Sequence, residues 1–236
     1  MLSEASCRTG RWSGMAAGQY HFIQMATKPD PRLTILVHGY NTTKADAGAR
    51  FRQVAAWAPE RPFLGFHWPG APEYLVARKR AVDAGQSLAR LIEKLDCRPN
   101  IIGHSMGCRV IMEALARFAD DTEFAIKSVG VVCLLAPAVD NDELSEGGQY
   151  RRAASRARSI VAFHSHEDSI LKWAYPAGDF DRALGYSGAQ AGLASPDNLI
   201  SFDCSDEVTS HAGYYQNATV RKRVLAWLAD DPQKFF

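Results

Sequence analysis

The sequence predicts an α/β fold: a doubly wound, mostly parallel sheet flanked by helices. Three observations predict it. Short continuous apolar runs rich in Val, Ile and Leu recur along the chain, as strands buried on both faces require. Between them lie segments whose apolar residues fall at i, i+3, i+4 and i+7, the spacing of one helix face. Finally, a chain of 236 residues, 47% hydrophobic and 22% charged, can bury one sizeable core and has the balance of an ordinary globular domain.

A polar start over residues 1–18 is expected to be flexible, and 19–236 to form a single domain without a separate cap. Residues 20–26 form a candidate opening strand, and 33–37 (LTILV) a second, strongly apolar one. A helix is predicted within 45–57, followed by a strand at 63–66. Leu88, Leu91, Ile92 and Leu95 then make one helical stripe. The strand 100–103 runs into a second stripe of Ile111, Ala114, Leu115 and Phe118. Strands follow at 129–135, 159–163 and 199–202, and Val220, Val224, Trp227 and Leu228 close the chain as a helix. This alternation is what places helices on both faces of a parallel sheet. Two stretches, 141–155 and 171–197, fit neither period; loops of that length in a compact domain tend to be functional.

The segment NIIGHSMGCRVIMEAL carries the chemistry. It sets Gly103-His104-Ser105-Met106-Gly107 between an apolar strand and an amphipathic helix, the strand–turn–helix setting of a nucleophile elbow. Such a turn holds the serine in a strained backbone conformation, and glycines two residues either side remove collisions with neighbouring backbone. Ser105 is therefore the candidate nucleophile, and Met106 N–H, at the start of the helix, a candidate oxyanion donor. The strand LTILV runs directly into His38-Gly39-Tyr40, which makes Tyr40 N–H the second candidate donor. His38 reads as a hydrogen-bonding structural residue.

A serine hydroxyl needs a base, and the base needs an orienting carboxylate. With a nucleophile elbow the chain order is Ser, then Asp or Glu, then His. His164 and His166 sit at the proposed acid, so His211, in a loop between the last strand and last helix, is the candidate base. Glu167 and Asp168 both lie just past a strand; the shorter Asp168 is preferred, with Asp179, Asp203 and Asp206 as further options. Trp68, Trp173 and Tyr175 are candidates for lining a substrate pocket.

At LVHGYN, FHWPG, GHSMGCRVIMEAL, LLAPAVDNDEL and SHAGYY the chain resembles the DUF900 family, an esterase/lipase-like group of bacterial α/β hydrolases. The likeness spans about 190 residues, from near Leu33 to near Leu228. It implies the α/β-hydrolase fold, with the nucleophile on Ser105, the acid on Asp168 within SHEDSIL, the base on His211, and the oxyanion loop at Gly39 and Tyr40.

The expected activity is hydrolysis of a small-molecule acyl ester through an acyl-enzyme, with no cofactor and no metal. A lipid-acting hydrolase or acyltransferase is the nearest alternative, and a non-catalytic binding protein of the same fold a more distant one. The formal net charge of +1 offers no footprint for nucleic acid. The local run Arg151, Arg152, Arg156 and Arg158 reads as a solvated face. Five scattered cysteines without CxxC spacing suggest reduced thiols, and no run of about 18 apolar residues suggests membrane insertion. A cytoplasmic location follows by default, and the oligomeric state stays open.

Overall fold

The computed structural model describes residues 20–23, 33–95, 97–120, 128–179 and 181–229; the expected flexible start at 1–18 lies outside them. Among the described residues seven strands form one sheet: β1 (Tyr20–Ile23), β2 (Thr34–Val37), β3 (Phe63–Phe66), β4 (Asn100–His104), β5 (Val129–Leu135), β6 (Ala157–His164) and β7 (Leu199–Asp203). Their spatial order is β1-β3-β2-β4-β5-β6-β7. The six strands β2 to β7 are all parallel, and β1 pairs antiparallel with β3 at the edge.

This order follows from how the apolar runs are buried. Every residue of β2, β3 and β4 is buried, so both sheet faces must be covered at the centre. The outermost strand, β7, is only partly covered. The helices α1 (Lys44–Ala55), α2 (Tyr74–Glu93), α3 (Met106–Asp120) and α7 (Ala218–Leu228) supply the cover, and the short α4 (Arg151–Ala154) packs on α3. Helix α2 lies against α3 so closely that a Cβ at Gly85 would sit 2.4 Å from Glu113 Cβ. Ile111, Leu115 and Phe118 of α3 are fully buried. Truncating such a residue costs about 2–5 kcal/mol, so this stripe anchors the helix that begins at the elbow.

The crossover between β2 and β3 runs one way along the sheet, and that between β3 and β4 runs back past β2. The reversal leaves a crevice beyond the carboxyl ends of β2 and β4, which pair in parallel with Val37 opposite Gly103. Open α/β sheets bind ligands at such a switch point. Here it gathers the loop after β2 and the turn after β4.

The stretches that fit neither period contain short helices: α4, a π-helical turn over Ile170–Ala174, α5 (Tyr175–Asp179) and α6 (Leu184–Ser187). Each is too short to show a periodic stripe. Cys108, Cys133 and Cys204 are buried free thiols. Cys97 is disulfide-bonded, a departure from the expectation of reduced thiols throughout. No helix among the described residues is long and apolar enough to cross a membrane.

Candidate active site

Ser105 sits between the end of β4 and the first residue of α3 with φ of +54°, a left-handed conformation that side-chain-bearing residues rarely adopt. Surrounding contacts hold it there. Its N–H donates to Leu135 O at 2.9 Å, and its own carbonyl accepts from Cys108 N at 2.9 Å and Ala138 N at 3.2 Å. The flanking glycines are required by close approach. A Cβ at Gly103 would lie 2.5 Å from Ile111 Cδ1, and one at Gly107 would lie 2.4 Å from His38 O and 2.7 Å from Val37 O. Gly107 thus lets the start of α3 press against the end of β2. As the first residue of α3, Met106 has an N–H outside the intrahelical ladder.

The loop after β2 passes beside this turn. A Cβ at Gly39 would be 3.1 Å from Ser105 Cβ and 3.1 Å from His104 O. Thr42 Oγ1 donates to the carbonyls of Gly39 and Tyr40, each at 3.1 Å, and Tyr40 OH donates to Pro72 O. His38 braces the loop from below. Its Nδ1 donates to Gly39 O at 2.8 Å and its Nε2 accepts from Trp68 N at 3.1 Å, so the ring is neutral. Burial holds its pKa down to about 4, consistent with that tautomer.

Asp168 and His211 meet across the ends of β6 and β7. His211 Nδ1 lies 2.7 Å from Asp168 Oδ2. The other carboxylate oxygen accepts from Ile170 N at 3.1 Å and Leu171 N at 3.0 Å, the first amides of the π-helical turn. Asp168 is fully buried, and those donors compensate the charge that burial would otherwise penalise. A carboxylate can only accept, so the Nδ1 of His211 carries the hydrogen of this bond. Ser105 and His211 line the same cavity; Ser105 Oγ makes no hydrogen bond among the described residues.

Of the other carboxylates, Glu167 is exposed, and Asp203 accepts the N–H and hydroxyl of Ser205 on Oδ1 and does not meet His211. Asp206 is exposed too, and the side chain of Asp179 lies outside the described residues.

The cavity measures about 420 Å³, and its walls include Tyr40, Ser105, Met106, Ile170, Tyr175 and His211. Of the three expected pocket aromatics, only Tyr175 lies on it. Trp68 is 1% exposed and sits under the loop instead, stacked on His38 with ring centroids 5.6 Å apart and donating Nε1–H to His38 O at 2.8 Å. Trp173 is 70% exposed. The turn gives residues 170, 171, 174 and 175 to the cavity, which puts 173 on its opposite side.

Two groups of residues near the site carried no assignment from the sequence. His104 donates Nε2–H to His211 O at 2.8 Å, tying the elbow to the loop of the candidate base. Burial, aided by nearby His211, holds its pKa down to about 3, so it is a fixed neutral donor. Behind the cavity wall, buried Arg109 of α3 bonds Tyr175 OH at 3.1 Å, Glu143 Oε1 at 3.3 Å and Ala138 O at 3.3 Å, while Tyr175 OH donates to Asp140 at 2.5 Å. The only sequence signal for this network is an arginine standing in the apolar run of α3.

The sheet order, the crossovers and the turn after β4 make this chain an α/β hydrolase in fold. It belongs to the DUF900 family, described as an alpha/beta hydrolase of unknown function, whose model matches residues 15–226. No protein of curated function matches the sequence. Among solved structures, esterase PE8 is similar over 90% of this chain and 98% of its own, with 14% identity and a TM-score of 0.53. A lipase-esterase related protein from Clostridium acetobutylicum covers 93% of this chain and 100% of its own, at 10% identity and a TM-score of 0.51. TT1662 from Thermus thermophilus matches over 91% and 98%, at 14% identity and a TM-score of 0.51.

Proposed function

We propose that the protein is a serine hydrolase that cleaves a carboxylic ester through a covalent acyl-enzyme. The observation that carries this reading is the 2.7 Å hydrogen bond from His211 to buried Asp168, on a cavity shared with Ser105 at φ of +54°. His211 Nε2 takes the proton of Ser105 Oγ as the oxygen attacks the ester carbonyl. Negative charge gathers on the carbonyl oxygen, where the N–H groups of Met106 and Tyr40 are the donors. The intermediate collapses as His211 returns the proton to the leaving alkoxide, and water then repeats the cycle on the acyl-serine. Asp168 keeps His211 in the tautomer that makes this possible.

A cavity of about 420 Å³ suits a small or medium ester. The esterase and lipase-esterase likenesses agree with this reading at the level of fold. The test is labelling with a fluorophosphonate probe, followed by a panel of p-nitrophenyl esters of increasing chain length. Wild type should label and turn over short to medium esters, and Ser105→Ala should do neither, losing kcat by about 10⁴-fold or more. A well-folded wild type that fails to label would overturn the assignment.

A further inference from the structure

We propose that His164, His166 and Asp203 form a binding site for a divalent transition metal, with zinc as the best-matched ion. The site lies at the carboxyl edge of the sheet, outside the cavity that holds Ser105. A ring nitrogen of each histidine and a carboxylate oxygen of Asp203 lie within 4.8 Å of one another. His164 ends β6 and Asp203 ends β7, and the two are paired directly in the parallel ladder. His166 follows two residues later and reaches back, its Nε2 3.9 Å from Asp203 Oδ2 and its ring 5.8 Å from that of His164.

The second observation concerns His164 itself. It is 8% exposed, and its Nδ1 is fully buried with no hydrogen-bond partner among the described residues. An orphaned ring nitrogen in a buried histidine is costly unless something occupies it. On the other side of the ring, Gly188 with φ of +71° is packed so tightly that a Cβ there would lie 2.9 Å from Nε2. A histidine that ligates a metal does so through a ring nitrogen whose lone pair no other group already engages.

Two imidazoles and one carboxylate are the donor set of an open tetrahedral site, with a fourth position for water. In such a site the ligand atoms sit roughly 3.4 Å apart. The remaining contraction of about an ångström falls to His166 and Asp203, whose side chains are 49% and 54% exposed and can change rotamer. His166 N–H is already anchored to Ser205 Oγ at 2.9 Å. Binding here would cross-link the turn that carries Asp168 to the segment that leads to His211, without touching either.

The experiment is calorimetric titration of ZnCl₂ into untagged, EDTA-stripped full-length protein, alongside His166→Ala and the double variant His166→Ala/Asp203→Asn. Both altered side chains are half exposed, and melting curves without metal report whether the variants fold. The expected result is one site per chain in wild type, weakened about a hundredfold or more in the double variant. A Tm rise of roughly 5 °C should accompany zinc at a hundred times its Kd and vanish in that variant. Equal binding by wild type and the folded double variant, or no saturable binding by wild type, would overturn the proposal. Neither outcome bears on whether Ser105 labels with a fluorophosphonate, so this site and the proposed hydrolase stand or fall separately.

Discussion

His104 Nε2 lies 2.8 Å from the carbonyl oxygen of His211, so the residue just before the candidate nucleophile holds the backbone of the candidate base. The two loops that cooperate in proton transfer in the proposed mechanism are thereby fixed to each other by a buried, uncharged donor.

Replacing that donor with an isosteric ring, His104→Phe, should free the His211 loop by a fraction of an ångström. Misplacement on that scale costs up to about 10²-fold in turnover. Steady-state kinetics on a p-nitrophenyl ester should show kcat reduced by about 10–100-fold with KM changed little. An unchanged kcat in the folded variant would remove His104 from the positioning scheme.

The same variant makes a pH prediction. His104 has its folded pKa lowered to about 3 from an ordinary 6.5, so the unfolded chain binds its proton first as pH falls. The stability it allows is complete above pH 6.5 and drains away between there and about 3, at about 1.4 kcal/mol per pH unit. Glu143, with its carboxyl raised by burial to about 7, works in the opposite sense between pH 7 and 4.5. The readout is therefore the difference between wild type and His104→Phe in urea denaturation at pH 7, 6 and 5. Wild type should lose stability more steeply on acidification, and parallel curves would contradict the assignment of a buried neutral ring.

Asp168→Asn should lower kcat by about 10⁴-fold, because an amide in place of the carboxylate favours the wrong His211 tautomer. Glu167→Gln, one residue away, exposed and without a bond to His211, should leave turnover within a factor of about three of wild type. Comparing the two in one ester assay decides which carboxylate acts.

The elbow glycines should differ in a way that compensation can expose. A methyl at Gly103 meets chiefly Ile111 Cδ1, the far end of a side chain, whereas one at Gly107 meets the backbone of Val37 and His38. Gly103→Ala should cost about 1–3 kcal/mol and be partly rescued by Ile111→Val. Gly107→Ala should cost at least as much and resist rescue by any side-chain change. Melting temperatures of the two singles and the Gly103→Ala/Ile111→Val pair test this.

The centre of the fold was legible in the sequence because β2 and β5 are short, mostly branched apolar runs, the pair Ile101-Ile102 leads straight into GHSMG, and α3 carries a clean stripe. The helices within 141–155 and 171–197 were not, since four or five residues are too few to establish a period. Ser105, Asp168 and His211 were nameable because motif and chain order constrain them. Trp68 and Trp173 were misplaced because an aromatic in a loop says nothing about which side it turns to; one went under the loop and one to solvent. His104 and the Arg109 network escaped for the converse reason, since their partners are 29 to 107 residues away along the chain. The His164, His166 and Asp203 cluster was equally invisible, because only the parallel register of β6 and β7 brings its members together.

Asp168 is gripped by the main-chain amides of Ile170 and Leu171, while the side chains of those same residues form part of the cavity wall. Main-chain donors survive a change of side chain. Position 170, half exposed, can therefore be varied to enlarge or narrow the chamber while the carboxylate keeps its hold, which in the proposed hydrolase makes selectivity and proton chemistry separable in a single five-residue turn.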